Sequence, residues 1–380
     1  MRIAILNLTA GGMSGGYRKY LSNMLPRFSQ RDDIEKILCA YPRGFSIDNS
    51  LISSEKILSV FCKPYSPCAI VSDHALINNL HLFNPDVIFI PMERYFQFRR
   101  VPVVNMVRNM FPLTYSSENP FHEKIRNVFL ENVAHRVVLK AQRTIAVSYY
   151  VQKYLIERWH ISPSHVPVIY HGVEEVDNQK SVRPVLIPQE RDKFLFTAGS
   201  IDPYRGLEDI LTALQVLHAQ GLKIKLVIAG EARKVMASYK RKLQKFLVQN
   251  KIANQVCWTG LLKASEMAWC YKNCQAFIAT TRVEACPNIA LEAMAHGSVI
   301  ISTDNMPLPE FFGDAAYYYP SRNAEYLAEE IKKILALDAD IRSNIAEKAR
   351  MRSRDFSWDR TAQKTIEELK KAIASLKENK

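Results

Sequence analysis

The sequence predicts an α/β protein made of two doubly wound, Rossmann-like domains facing each other across a cleft. Three observations carry that expectation. Short apolar runs of strand composition alternate with helical patterns along nearly the whole chain, as in parallel sheets covered on both faces. A polar, aperiodic stretch with two prolines, EEVDNQKSVRPVLIPQERD at 174–192, interrupts the alternation near the middle. On each side of it a fresh strand–turn–helix unit begins, and 380 residues suffice for two domains of ordinary size. The boundaries read as 1–178 for the first domain and 188–355 for the second, with a C-terminal helix at 356–380 crossing back to the first.

The elements follow in order. MRIAILNLTAGG opens on a buried strand over 2–8 and reaches glycine too quickly for a signal peptide. A helix is expected over 16–28, strands over 36–41, 87–91, 102–107, 143–147 and 166–170, and a helix over 122–142. In the second half KFLFTAG (193–199), KIKLVIAG (223–230), QVCWTG (255–260), 275–280 and 298–302 read as strands, with helices over 206–220 and 236–250. Helical stretches over 324–337 and 341–351 flank Asp338-Ala339-Asp340, which lies far from any predicted strand end and is read as surface. The tail FSWDRTAQKTIEELKKAIASLK (356–377) is amphipathic, and its Trp358 requires a hydrophobic seat.

Composition narrows the function classes. No apolar run approaches the roughly 20 residues of a membrane helix. Lys plus Arg minus Asp plus Glu is 51 − 38 = +13, which calls for an anionic partner: nucleic acid, a phosphorylated small molecule or a membrane surface. No nucleic-acid recognition module accompanies the charge, so nucleic acid is not expected. Seven cysteines without zinc-like spacing predict no metal site and a reduced, cytoplasmic setting; Cys270 and Cys274 are one helical turn apart with no second pair.

Three stretches carry chemistry. In TTRVEACPNIALEAMAHGSVIIST (280–303) two acids, Glu284 and Glu292, stand eight positions apart. Pro287 suits the first helical position and Gly297 the helix end, so the stretch reads strand, loop, helix, strand. Free amides of Asn288 and Ile289 are then expected to point into the crevice at the C-terminal ends of the strands, where they bind an anion. From the residues alone, a dipole-stabilised Glu284 and a solvated Glu292 fit equally well. TAGGMSGGYRKYL has four glycines in six positions, which allows close backbone approach to a ligand. It satisfies neither nucleotide fingerprint: Tyr17 and Arg18 stand where a P-loop needs Lys and Ser or Thr, and Met13 breaks the dinucleotide spacing. In TAGSIDPYRGLEDILTAL, Arg205 precedes Gly206 and a helix, a position from which a guanidinium can clamp a diphosphate.

Together these pieces resemble the retaining glycosyltransferases of family 4, which have the GT-B fold. The resemblance runs through the glycine turn, SYYVQKYLIERWHI…VPVIYHGVE, GSIDPYRG, LVIAGE, EACPNIALE continuing into AMAHGSVIIST, PEFFGDAAYYYP and FSWDRTA. It implies a nucleoside-diphosphate sugar as donor and a glycan or lipid-linked acceptor, with retention of anomeric configuration. It also implies a place in cell-surface polysaccharide or lipopolysaccharide assembly, and no metal or other cofactor. By the same resemblance Glu284 contacts the donor sugar, the amides of Asn288 and Ile289 hold sugar or phosphate, and Glu292 accepts from the ribose hydroxyls. Arg205, in place of the usual lysine, holds the diphosphate with Gly15, Gly16 and Ser200. The pattern is departed from at Ser200, where an arginine is common, and at Ala285 and Cys286, which line the sugar pocket. The usual histidine of the first-domain cleft has no match, leaving Arg108 and Asn109 of VVNMVRNMFPL as its candidates. A sugar-nucleotide epimerase of the same fold and a non-catalytic partner subunit are the alternatives. RYFQFRR (94–100) and FHEKIRNVFLENVAHRVVLKAQR (121–143) mix aromatics with cations and suggest peripheral contact with the inner face of an anionic membrane, or else a solvated basic face.

Overall fold

The protein, seen as a computed structural model, is described over residues 1–9, 15–42, 53–66, 73–110, 113, 121–174, 181–187 and 193–378. It forms two compact units: Met1–Tyr115 with Asn119–Gly172 and Ser357–Lys380, and Val173–Phe356. The first unit carries strands β1 (Arg2–Leu6), β2 (Lys36–Pro42), β3 (Ile57–Cys62), β4 (Val87–Ile90), β5 (Val103–Val107) and β6 (Arg143–Ala146). They are parallel throughout, in the order β3-β2-β1-β4-β5-β6. Its helices are α1 (Gly15–Ser29), α2 (His74–Phe83), α3 (Phe121–Lys140) and α4 (Tyr149–Trp159). Two of the helices start at side-chain caps, Asp73 accepting from the Leu76 amide at 3.1 Å and Ser148 from that of Val151 at 3.2 Å.

The second unit repeats the plan. Strands β7 (Phe194–Ala198), β8 (Lys225–Ala229), β9 (Val256–Gly260), β10 (Ala276–Ala279), β11 (Ile300–Thr303) and β12 (Tyr317–Tyr319) are parallel in the order β12-β11-β10-β7-β8-β9. Between and after them run α5 (Leu207–Ala219), α6 (Ala237–Gln249), α7 (Ala264–Asn273), α8 (Asn288–Ala295), α9 (Leu308–Phe312), α10 (Ala324–Leu335) and α11 (Ala339–Ser353). The core beneath them is aliphatic, with Leu195, Leu214, Leu226, Ile278, Ile301 and Ile331 buried. The strand order reverses direction between β7 and β10, and in open parallel sheets that reversal opens a crevice at the carboxyl ends of the two strands. Those ends lead directly into Gly199–Arg205 and Thr280–Glu284.

The last helix, α12 (Trp358–Glu378), returns to the first unit and packs on α1 and on β4 to β6. Trp358 finds its seat there, 2% exposed, with Tyr20 and His171 ring centroids 5.9 and 5.7 Å away. Asp338 is the exposed N-cap of α11, accepting from the Ile341 amide at 2.8 Å, so the Asp-x-Asp pair is surface as expected. No disulfide joins the described cysteines, and no helix of the described residues is long and apolar enough to cross a membrane.

Four expectations are corrected. The segment 166–170 forms only an isolated bridge between Val168 and Ala146, because Pro167 brings no N–H to a ladder. Edge strand β3 and three-residue β12 were not expected: β3 leaves Leu58 and Phe61 exposed, which blurs its alternation. Pro287 precedes α8 as its N-cap instead of occupying the first helical position. Phe96 and Phe98 of RYFQFRR are core residues, 6% and 5% exposed, and do not belong to a surface patch.

Candidate functional site

At the carboxyl edge of the second sheet, two loops are stitched together by hydrogen bonds. The turn after β7 runs through Gly199, Ser200 and a short helical turn, Pro203–Arg205. The loop after β10 lies against it: the Arg282 amide donates to the Tyr204 carbonyl at 2.7 Å, and the Thr280 hydroxyl to the Arg205 carbonyl at 2.6 Å. The approach is so close that a Cβ on Gly206, whose φ is +63°, would sit 2.3 Å from the Thr280 carbonyl oxygen. That contact, with the positive φ, is why Arg205 is followed by glycine. Gly199 does the same for the side chain: a Cβ there would press within 3.3 Å of the Arg205 guanidinium and 3.5 Å of Ile289 Cδ1.

A buried carboxylate anchors this junction from behind. Asp209, in the first turn of α5, accepts from Arg282 Nη2 at 3.0 Å, from the Tyr319 hydroxyl at 3.1 Å and from the Arg322 amide at 3.0 Å. Buried charges persist where they are paired and hydrogen-bonded, and Asp209 has both.

On that scaffold Arg205 and Glu284 meet as an ion pair through Nη1 and Oε1, with side chains 21% and 15% exposed. Burial pushes the Glu284 carboxyl above the usual range even though Arg205 and the Thr281 hydroxyl pull it down. Burial works against the Arg205 charge, yet Glu284, Tyr204 and Asp202 hold its pKa above the ordinary value. The Ser200 hydroxyl lies 3.1 Å from that of Tyr204, so it belongs to the same turn. A second guanidinium reaches this edge from the loop after β8: Arg233 Nη2 donates to the buried Asp202 at 2.7 Å.

Glu292 stands on α8, and its Oε2 accepts from the hydroxyl of Tyr271 at 3.1 Å. Tyr271 is 1% exposed, and both burial and the neighbouring Glu292 carboxylate push its hydroxyl pKa well above the ordinary value. The Asn288 amide is not free as expected; it donates to the Cys286 carbonyl at 3.0 Å, because Pro287 closes a tight turn before the helix. The Ile289 side chain lies beside Gly199. Among the described residues no group of three or more His, Cys, Asp or Glu side chains is placed to hold a metal ion.

In the first unit, Gly15 and Gly16 open α1, and a Cβ on Gly15 would meet nothing within 4 Å. Gly11 and Gly12 lie outside the described residues. Arg108 follows β5 with its guanidinium 4.4 Å from the centroid of Tyr17 and 5.9 Å from that of Tyr20. The amides of Arg108 and Asn109 both donate to Glu93 Oε1, at 2.5 and 2.8 Å.

Of the residues named from the sequence, the structure brings Arg205, Ser200 and Glu284 together at one sheet edge with Ile289 beside Gly199, while Glu292 lies further along α8 against Tyr271. Sequence reasoning missed Tyr271, Asp209, Arg282, Arg233 and Glu93. Arg282 and Asp209 lie within stretches already singled out and carry a charge beside a predicted core, a usable signal; Tyr271 sits in an unremarked helix and has none.

Residues 178–352 match the family described as Glycosyl transferases group 1, and residues 14–176 match Glycosyltransferase Family 4. The chain is 28% identical over 146 residues to the α-monoglucosyldiacylglycerol synthase of Streptococcus pneumoniae, covering 38% of this chain and 32% of that protein. It is 28% identical over 199 residues to the lipopolysaccharide 1,2-N-acetylglucosaminetransferase of Salmonella typhimurium, covering 50% and 52%. The chain thus spans about a third to a half of the length of these curated relatives. Among solved structures, a glycosyltransferase of Rickettsia africae superposes with TM-score 0.74 at 16% identity, covering 98% of both chains. Anabaena HepE in complex with UDP-glucose does so with TM-score 0.74 at 17% identity, covering 98% of this chain and all of that one. These likenesses show the GT-B fold.

Proposed function

The chain belongs to the group 1 glycosyltransferases of family 4, and from that premise we propose that it moves a sugar from a nucleoside-diphosphate sugar to a glycan or lipid-linked acceptor in cell-surface glycan assembly. One observation carries the reading: Arg205 and Glu284 are paired at the strand-order reversal of the second sheet, with Glu292 eight residues on. A diphosphate takes the guanidinium of Arg205, and the sugar lies against Glu284. The ribose hydroxyls donate to Glu292. That the named relatives make glucosyldiacylglycerol and lipopolysaccharide linkages supports an acceptor of this class.

In the proposed mechanism the bond from the anomeric carbon to the diphosphate breaks with its electron pair, and the acceptor oxygen bonds to that carbon on the same face. A donor phosphate oxygen takes the acceptor proton, so configuration is retained without an enzyme nucleophile. The transition state carries positive charge at the anomeric centre and growing negative charge on the diphosphate. Glu284 answers the first and Arg205 the second, so no metal is required. Peripheral membrane contact rests on α3, where Ile125, Phe129, Arg136, Leu139 and Lys140 are exposed along one stripe.

The test is hydrolysis and transfer with UDP-, GDP-, ADP- and dTDP-sugars, followed by NMR of the product's anomeric proton. Turnover of one donor with retained configuration is expected. An epimerised sugar nucleotide, or no turnover of any donor, refutes the reading.

A further inference from the structure

We propose that Tyr271 is the positioning residue that aims the Glu292 carboxylate at the donor's ribose. The inference rests on the reading of Glu292 as the ribose acceptor and adds the group that makes it one. A glutamate on a helix surface has three rotatable bonds, and holding it in a single geometry costs side-chain entropy at the moment of binding. Here that cost is met during folding. The Tyr271 hydroxyl lies 3.1 Å from Glu292 Oε2 on the neighbouring helix. The phenol has little freedom to follow the carboxylate elsewhere. Its ring packs against Phe196 and Phe277 at 5.3 and 5.5 Å between centroids, and the Ser298 hydroxyl donates to its carbonyl at 2.8 Å. His296 braces the pair from the other side, its ring centroid 5.2 Å from that of Tyr271 and its Nδ1 2.8 Å from the Glu292 carbonyl oxygen.

The polarity is right for a diol. A phenol hydroxyl donates one hydrogen bond, and a carboxylate offers about four lone-pair positions. Tyr271 occupies one of them, and a vicinal diol supplies two further donors. Because the ribose is remote from the breaking bond, this contact serves ground state and transition state alike and shows in KM and not in kcat.

The experiment measures nucleotide binding by calorimetry and donor kinetics for the wild type, Tyr271→Phe and Glu292→Gln. UDP, GDP and ADP are compared first, and then the 2′,3′-dideoxy form of whichever binds. Tyr271→Phe is expected to weaken the ribonucleotide about tenfold, the usual effect of losing a hydrogen bond to a charged group. Donor KM rises by the same factor and kcat stays put. Affinity for the dideoxynucleotide does not change, whereas a purely structural role weakens both forms equally. Whatever the melting of the Phe variant, Tyr271→Phe combined with Glu292→Gln is expected to discriminate ribonucleotide from dideoxynucleotide no less than Glu292→Gln alone, because Tyr271 acts through that carboxylate; a further ribose-selective loss in the double variant overturns the role. Equal loss for both nucleotides, or no loss, alongside a ribose-selective defect in Glu292→Gln, overturns the role of Tyr271 and leaves Glu292 in place. Unchanged ribonucleotide affinity in Glu292→Gln, or no binding of any nucleotide, overturns the Glu292 reading itself and the inference with it.

Discussion

Replacing Glu284 by Gln removes one negative charge from beside Arg205 while keeping the side chain's volume and its place in the loop. With side chains only 21% and 15% exposed, the pair is poorly screened. A diphosphate that takes Arg205 must either displace this carboxylate or share the guanidinium with it. Two unit charges about 6 Å apart at an effective dielectric near 20 repel by roughly 2.8 kcal/mol, and partial exposure to solvent trims this to about 1–2 kcal/mol. Affinity for the free nucleoside diphosphate is therefore expected to rise by roughly five- to thirtyfold in the variant. Turnover moves the other way. With Glu284 beside the carbon that gains positive charge, its loss lowers kcat by roughly tenfold or more, since about 1.4 kcal/mol is a factor of ten. Calorimetry with UDP, GDP and ADP at fixed ionic strength gives the first quantity, and initial rates at saturating donor give the second. Unchanged or weakened nucleotide affinity in a normally melting variant refutes the placement of the diphosphate on Arg205. Unchanged kcat refutes the placement of Glu284 beside the reacting carbon.

Three further outcomes are expected. Transfer continues in excess chelator, because the Arg205 guanidinium meets the leaving diphosphate; complete loss restored by magnesium or manganese contradicts this. Asp209→Asn removes the charge that faces Arg282 and one of the acceptors that hold Tyr319 and Arg322, costing about 2–4 kcal/mol of stability in urea unfolding and loosening the donor loop. The Glu284 carboxyl is lifted above its ordinary value, so the folded protein holds this proton more tightly than the unfolded chain does. Relative to Glu284→Gln, wild-type stability is then full below the ordinary glutamate pKa and falls as pH rises through the raised one, a trend that unfolding curves from acid to neutral pH measure.

The alternation of strands and helices was legible in the sequence because each element had only to bury one face or one stripe, and that requirement writes a short period into neighbouring residues. The helices around residues 16–28, 206–220 and 236–250 came out within a residue or two of α1, α5 and α6 for that reason. The loops after β7 and β10 were marked by glycine and proline, and the two glutamates by their spacing. Where burial is partial or the run is short, the period fades, as in β3 and β12.

What the sequence by itself determined, then, was the architecture and the loops of the proposed site. The tertiary structure alone decided which charges meet. Arg205 and Glu284 are separated by 79 positions and Asp209 and Tyr319 by 110, and the pairing of such residues leaves no local pattern, since it depends on strand order and on which edge each loop leaves. Tyr271, only 21 positions from Glu292, was equally silent, because an inward-facing tyrosine on a helix reads as core until the acceptor opposite its hydroxyl is seen. The Asn288 amide shows the converse: a helix start is predictable, but whether its first N–H is spent within a proline turn is settled only by the backbone path around Cys286 and Pro287.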